Sequence, residues 1–137
     1  MKLKELIYYT KYGFSSLLMR SFAPIVAGVP LTDLCNLKCA HCVVANRGRG
    51  HYSFARLMEI FSMFYSRGAR VLYLQGGEIM MWEEGNLRVN DVIKAARKIG
   101  FFMVAAVTNG TFPIDISSDA VWVSLDGPEK YHDSIRG

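Results

Sequence analysis

Residues 35–42 read Cys-Asn-Leu-Lys-Cys-Ala-His-Cys, and they contain every cysteine of the 137-residue chain. Three thiolates at the spacing C-x3-C-x2-C can bind one small, soft centre from a single loop, because thiolates favour zinc, copper(I) or iron–sulfur clusters. A structural zinc site or a closed cluster requires four protein ligands. His41 and His51 are candidates for a fourth ligand. His41, however, lies between two of the cysteines, so its side chain is expected to point away from the same metal. The loop therefore predicts a metal centre with one open coordination position.

The composition is that of one globular domain, with 51% hydrophobic and 20% charged residues. No apolar run reaches the length of a membrane span, about 18 residues, and the N-terminal segment lacks the apolar core of a signal peptide. Three clustered thiols, an odd number, favour a reducing compartment over a secreted disulfide framework. We therefore expect a cytoplasmic protein. The net charge of +4 is too small to indicate nucleic-acid binding.

The first segment, over residues 3–20, predicts an amphipathic helix with a weak point at Gly13. Lysines and tyrosines separate its apolar positions, which are Leu3, Ile7, Phe14, Leu17 and Leu18. One interpretation is a cap helix that packs on the domain. A basic, aromatic-rich helix also fits a membrane surface, so peripheral membrane contact through residues 1–20 remains open. Because Pro24 ends this segment, we divide the chain into residues 1–24 and a domain over residues 25–137.

The remaining chain alternates between apolar strands and amphipathic helices. Its order is strand, helix, strand, helix, strand, short link and strand, and the strands are predicted at residues 25–34, 71–75, 101–107 and 121–125. The first helix of this domain follows a cap at Ser53 and stops at Gly68, and its second helix starts at Asn90 or Asp91 and stops at Gly100. This alternation predicts an α/β fold with a parallel sheet. Right-handed crossovers would curl the sheet into a partial (β/α) barrel.

Polar or glycine-rich residues follow each predicted strand, at the edge where α/β folds build their sites. After the cysteine loop these are Gly76-Gly77-Glu78, Thr108-Asn109-Gly110, and Ser124 with Asp126. Taken alone, the glycines and the Asn-Gly pair only predict turns, and Asp126 before Gly127 only predicts a cap. The glycine- and arginine-containing loop at residues 46–51 reads as a solvated loop, with anion binding as an alternative.

The cysteine loop, with a histidine directly before its last cysteine, resembles the signature of the radical S-adenosylmethionine (radical SAM) superfamily. The resemblance implies a four-iron, four-sulfur cluster held by Cys35, Cys39 and Cys42, and it places His41 at the cofactor site. It implies that SAM chelates the unique iron through its amino and carboxylate groups. One electron, from a donor such as a flavodoxin or ferredoxin, would then cleave SAM to methionine and a 5′-deoxyadenosyl radical. That radical would abstract a hydrogen atom from an unknown substrate.

The other motifs resemble the same family in order and spacing. The resemblance implies that Gly76, Gly77 and Glu78 contact the amino group of SAM, because glycines permit close approach and a carboxylate complements an ammonium. This chain has Ile79 where the family usually has proline. The remaining cofactor-binding residues that it implies are Asn109, Ser124 and Asp126. His132 and Arg136, in a closing segment typical of members that modify peptides and other large substrates, are assigned no role.

The family's catalytic domain has more strands than the four predicted here. We therefore expect an N-terminal part of that domain, with an uncovered sheet edge that favours self-association or requires a missing C-terminal part. The rival hypothesis is a non-catalytic module, in which three cysteines and a fourth ligand hold zinc or an iron–sulfur cluster for structure or electron transfer.

Overall fold

The structure is a computed structural model that describes residues 2–19 and 23–136. Its centre is a parallel four-stranded sheet in the order β1-β2-β5-β6, made of β1 (Val26–Pro30), β2 (Val71–Gln75), β5 (Met103–Thr108) and β6 (Ala120–Val123). A short antiparallel hairpin consists of β3 (Glu83–Glu84) and β4 (Leu87–Arg88). The helices are α1 (Leu3–Met19), α2 (Phe54–Ser66), α3 (Val89–Ile99) and α4 (Glu129–Arg136), with a 3-10 turn over Ile79–Met81.

The core consists of the sheet together with α2 and α3. α2 begins after Ser53, whose hydroxyl accepts a hydrogen bond from the backbone N–H of Arg56 at 3.3 Å. α3 ends at Gly100, whose φ of 118° is the left-handed conformation that closes many helices. The largest fully buried side chains include Trp82, Phe61, Leu57, Leu72, Leu74 and Ile93. The predicted α/β architecture is therefore confirmed.

The parallel register brings the carboxyl ends of the four strands to one edge of the sheet. Pro30 of β1 is paired with Gln75 of β2, and Thr108 of β5 is paired with Val123 of β6. β2 has the predicted bounds, but β1 ends at Pro30 instead of continuing to residue 34. Beyond Pro30 the chain leaves the sheet, and Thr32 forms an isolated antiparallel bridge with His51.

α1 is continuous through Gly13, where the sequence predicts a weak point. The helix contacts the domain through Tyr8, whose hydroxyl donates to the carbonyl of Gly68 at 2.5 Å and whose ring meets Phe102 edge-on. The apolar positions that the helical spacing selects are exposed instead of buried; they are Leu3, Ile7, Phe14, Leu17 and Leu18. The predicted helix end at Arg20 lies outside the described residues, as do Met1 and Gly137.

No helix within residues 2–19 and 23–136 is long and apolar enough to cross a membrane.

Candidate functional site

A cleft of about 280 Å³ opens at the carboxyl ends of the strands. It is lined by most of the residues that the sequence singles out, namely Cys35, Cys39, Cys42, His41, Gly76, Gly77, Asn109 and Ser124. Glu78 and Asp126 belong to the same predicted set, but they are not among the lining residues. The wall contains Arg136 as well, to which the sequence assigns no role. The sheet edge thus brings residues that are far apart in the sequence into one site.

The three cysteines are free thiols and are partly buried. Backbone N–H groups reach two of their sulfurs: Ala45 donates to the Sγ of Cys42 at 3.2 Å, and Leu37 donates to the Sγ of Cys35 at 3.5 Å. The hydrogen bonds from Ala45 and Val44 lower the pKa of the Cys42 thiol. Because the thiolate is the form that binds metals, this donor set fits an iron–sulfur cluster.

In the part of the chain that the structure describes, no three His, Cys, Asp or Glu side chains form a group that could hold a metal ion. Cluster binding by Cys35, Cys39 and Cys42 therefore remains a prediction.

The loop at residues 46–51 is hydrogen-bonded to the cysteine loop and to the residues that precede it. The side chain of Asn46 accepts a hydrogen bond from the N–H of Cys35 at 3.2 Å and donates to the carbonyls of Cys35 and Leu37. The carboxylate of Asp33 accepts hydrogen bonds from the backbone N–H groups of Arg49 at 2.8 Å and Arg47 at 3.0 Å. These hydrogen bonds lower the pKa of Asp33, and the one from Arg49 has the largest effect. The loop is therefore held in place by the cysteine segment while its residues 46–49 and 51 remain exposed, which agrees with the predicted solvated loop.

Gly76 and Gly77 form a turn over which the chain preceding the cysteines crosses. The N–H of Gly77 donates to the carbonyl of Thr32 at 2.8 Å, and the next N–H, of Glu78, donates to that of Leu34 at 2.7 Å. A Cβ at Gly76 would lie 2.3 Å from the oxygen of Thr32, and one at Gly77 would lie 2.1 Å from the oxygen of Leu34. Only glycine permits this approach, so the two glycines fix the position of the segment that leads into Cys35.

Glu78 is fully buried behind the cleft wall. Its carboxylate accepts hydrogen bonds from the hydroxyl of Thr108 at 2.8 Å, from the N–H of Asn109 at 2.7 Å and from the N–H of Met80 at 3.1 Å. The expectation that this carboxylate faces an ammonium in the cleft therefore differs from the structure. The physical reason is that β5 ends beside β2, and its Thr108 and Asn109 provide the donors that a buried carboxylate requires.

Asn109 joins the end of β5 to the cysteine loop. Its amide donates to the side-chain oxygen of Asn36 at 2.9 Å and to the Sγ of Cys35 at 3.7 Å. Ser124 is positioned by its own backbone, since its N–H donates to the carbonyl of Thr108 at 3.0 Å. These two predicted residues thus occupy neighbouring parts of the cleft wall.

Asp126 binds Arg136 instead of lining the cleft. The guanidinium of Arg136 donates to the carboxylate of Asp126 at 2.7 Å, and this hydrogen bond lowers the pKa of Asp126 and raises that of Arg136. Arg136 also interacts with Cys39, and the carbonyl of its neighbour Ile135 accepts the N–H of Ala40 at 2.8 Å. α4 therefore packs its last turn against the cysteine loop, and no local sequence signal reveals this contact.

The chain belongs to the radical SAM superfamily. It is 32% identical over 126 residues to the antilisterial bacteriocin subtilosin biosynthesis protein AlbA of Bacillus subtilis (strain 168), in an alignment that covers 83% of this chain and 27% of that protein. No protein-family model matches the chain. The resemblance stated from the cysteine loop is thus confirmed at the level of the superfamily.

Two solved structures share the fold. Streptococcus suis SuiB bound to the precursor peptide SuiA matches with a TM-score of 0.69 at 17% identity, over 98% of this chain and 32% of that one. A histidine-tagged anSMEcpe with bound AdoMet matches with a TM-score of 0.59 at 22% identity, over 81% of this chain and 34% of that one. The chain therefore spans about a quarter to a third of the proteins it matches.

Proposed function

We propose that this chain is the N-terminal, cofactor-binding part of a radical SAM enzyme, in which Cys35, Cys39 and Cys42 hold a four-iron, four-sulfur cluster. The observation that carries the proposal is that the three thiols share one cleft with Gly76, Gly77 and other residues of the strand ends, in a chain that belongs to the superfamily. When bound, the cluster would supply one electron that cleaves SAM to methionine and a 5′-deoxyadenosyl radical, and this radical would take a hydrogen atom from the substrate.

The residues of the cleft complement the two charged ends of an amino acid. Gly76 and Gly77 line the cleft, and as glycines they permit an ammonium group to approach their backbone closely. Arg136 is a cation in the wall and serves a carboxylate. Ser124 and Asn109 add neutral hydrogen-bonding groups, and His41 adds an imidazole beside the thiols. Glu78 and Asp126 act indirectly, by fixing Asn109 and Arg136.

We propose a peptide as the substrate class. The support comes from the relatives, since AlbA is a biosynthesis protein of the bacteriocin subtilosin and SuiB was solved with a precursor peptide. The proposal also requires an electron donor such as a flavodoxin or ferredoxin. It places the protein in the cytoplasm, because thiolate ligands need a reducing compartment.

Anaerobic reconstitution with iron and sulfide tests the cofactor assignment. We expect the wild-type chain to bind the cluster and its absorption and paramagnetic resonance spectra to change when SAM is added. Replacing Cys35, Cys39 or Cys42 by alanine should abolish iron binding, whereas His51→Ala is the control that keeps it. A cysteine variant with full iron content would contradict the assignment. A spectrum that does not change when SAM is added would support the rival hypothesis of a non-catalytic module that holds zinc or a closed cluster.

A further inference from the structure

α1 has two faces of different character, and among the residues that the structure describes only one of these faces contacts the domain. The contacting face carries Tyr8 and Tyr9, whose rings lie 5.6 and 6.4 Å from that of Phe102. The guanidinium of Arg70 lies 5.0 Å from the ring of Tyr8, and the Tyr8 hydroxyl binds the carbonyl of Gly68. These contacts fix the rotation of the helix about its axis, so the orientation of the opposite face follows from them.

The opposite face is an exposed apolar stripe, which we call the outer stripe. Its members recur at intervals of three, four and seven residues, which places them on one side of a helix; they are Leu3, Leu6, Ile7, Phe14, Leu17 and Leu18. Leu17 is 83% exposed, Leu3 72% and Phe14 64%. Helix geometry makes the stripe about 23 Å long. Thr10, which is exposed, interrupts the stripe between Ile7 and Phe14. Exposed apolar side chains gathered on one face of a helix mark an interaction site.

The charges of α1 identify the partner that fits the stripe. Lys4 and Lys11 are seven positions apart along one margin of the stripe, and both are exposed. The Nζ of Lys4 lies 5.4 Å from the centre of the Phe102 ring, on the side of the domain, so Lys11 is the one of the two that is directed away from Phe102. Glu5, the acidic residue of α1, accepts the N–H of Lys2 and lies off the stripe. If two copies paired through their stripes with the helices antiparallel about a two-fold axis, the same basic margins would face each other. Lipid headgroups of negative charge complement them instead.

We propose that α1 is a membrane-docking helix that lies in the interface of an anionic bilayer, with the outer stripe toward the acyl chains and the exposed ammonium of Lys11 toward the headgroups. An apolar face with a basic margin is the pattern of interfacial helices. The proposal goes beyond the cofactor chemistry and does not depend on it. Because Tyr8 and Tyr9 keep α1 packed on Phe102, docking of the helix would hold the whole domain, including the cleft, at the membrane surface.

Vesicle flotation with the purified protein tests this proposal. The vesicles consist of phosphatidylcholine alone or of phosphatidylcholine with phosphatidylglycerol, and we expect binding only to the second. The variant Phe14→Ser/Leu17→Ser should lower the partition coefficient at least roughly tenfold, because it removes two side chains from the apolar interface. Lys11→Glu should lower it by roughly tenfold, because it replaces attraction to the headgroups by repulsion and leaves the contact of Lys4 with Phe102 in place. The matched control is Ile114→Ser, which changes an exposed residue between β5 and β6 and should bind like the wild type.

Thermal unfolding and sedimentation distinguish the other occupants of the stripe. An unchanged melting temperature in Phe14→Ser/Leu17→Ser would support the proposal, since nothing else would have been uncovered. A lower melting temperature without vesicle binding would show that another part of the protein covers the stripe, and would overturn it. A dimer that this variant dissociates would identify a second copy as the partner and would also overturn it. Equal binding to both kinds of vesicle would contradict the role of Lys11 and would overturn the proposal of an anionic bilayer.

Discussion

The buried carboxylate of Glu78 accepts hydrogen bonds from the hydroxyl of Thr108, with distances of 2.8 and 2.9 Å to its two oxygens. Glu78 follows β2 and Thr108 ends β5, so the contact ties together two neighbouring strand ends at the cleft. The same carboxylate accepts the N–H of Asn109, which binds the Sγ of Cys35. A short chain of hydrogen bonds therefore links the Gly-Gly-Glu turn to the first cysteine.

We predict that Glu78→Gln lowers the free energy of unfolding of the cluster-free protein by roughly 1.5–3 kcal/mol, because it removes hydrogen bonds to a buried charge. Thr108→Val is the matched variant, since it keeps the shape and removes the donor. A double-mutant cycle by chemical denaturation should show that the two changes are not additive. Both variants should also weaken SAM binding through Asn109. If Glu78→Gln weakened SAM binding without loss of stability, and Thr108→Val did neither, the carboxylate would contact SAM directly.

The close approach of Gly77 to Leu34 gives a second prediction. A Cβ at Gly77 would lie 2.1 Å from the carbonyl oxygen of Leu34. We expect Gly77→Ala to lower the free energy of unfolding by about 1–3 kcal/mol or more and to reduce iron incorporation, because the segment leading to Cys35 must move. The control is Gly13→Ala, which meets nothing within 4 Å. In a helix interior this change should stabilise the protein by about 0.5–1 kcal/mol and leave iron incorporation unchanged. Normal iron content in Gly77→Ala would refute the positioning role.

Hydrophobic periodicity predicted the elements that have a clear apolar pattern and cap or turn residues at their ends. It failed where the structure depends on tertiary contacts. β2 and α2 have strong apolar patterns bounded by Ser53, Gly68 and Gly76, and they lie where expected. The hairpin of β3 and β4 has two residues in each strand, which is too short for an alternation to be visible. α4 has no buried residue, and Ile135 is its one aliphatic residue, so no apolar stripe marked it. The pattern also located the stripe of α1 correctly while giving no information on which way it faces.

The candidate site shows the same division. Spacing within one loop was enough to select the three cysteines, and the resemblance to the radical SAM signature added His41. The burial of Glu78 could not be read from the sequence, because its donors come from residues about thirty positions away. Arg136 reaches the cleft only because α4 folds back on the cysteine loop. Residues that act within one turn are visible in a sequence, whereas residues that meet across strands are not.

Arg136 gives the third prediction. Its side chain is 13% exposed, pairs with Asp126 and interacts with Cys39. We expect Arg136→Gln to weaken SAM binding roughly tenfold, because a charge-assisted hydrogen bond contributes about 1.5–3 kcal/mol. It should also lower the reduction potential of the bound cluster, because a positive charge near a thiolate ligand favours the reduced state. Arg97→Gln, which breaks an exposed pair with Asp119, is the control for isothermal titration and redox titration. Unchanged SAM affinity together with reduced iron content would show that Arg136 only holds the loop.

Tyr8 gives a prediction on pH. Burial raises the pKa of Tyr8, so its neutral form is favoured in the folded protein, where it donates to Gly68. A raised pKa means that the stabilisation is complete below the unfolded value of about 10 and is lost as the pH rises through the folded value. Tyr8→Phe should cost about 1 kcal/mol at neutral pH, and its difference from the wild type should shrink above about pH 10. Denaturation at several pH values measures this. Tyr9→Phe, which keeps the Tyr8 hydroxyl, should retain the pH dependence, and a constant difference for Tyr8→Phe would contradict the assignment.

The last prediction concerns β6, which is an edge strand of the sheet. Trp122 is 57% exposed and Leu125 is 76% exposed, and an apolar strand with free backbone groups pairs readily with another strand. We therefore expect the isolated 137-residue chain to self-associate through β6 at rising concentration and to turn over no substrate, even when its cluster is bound. Light scattering should detect the association. Val123→Lys, which places a charge on the edge, should suppress it, whereas Phe14→Ser/Leu17→Ser on α1 should leave it unchanged. A monomer that produces 5′-deoxyadenosine over many turnovers would show that these four strands suffice for catalysis.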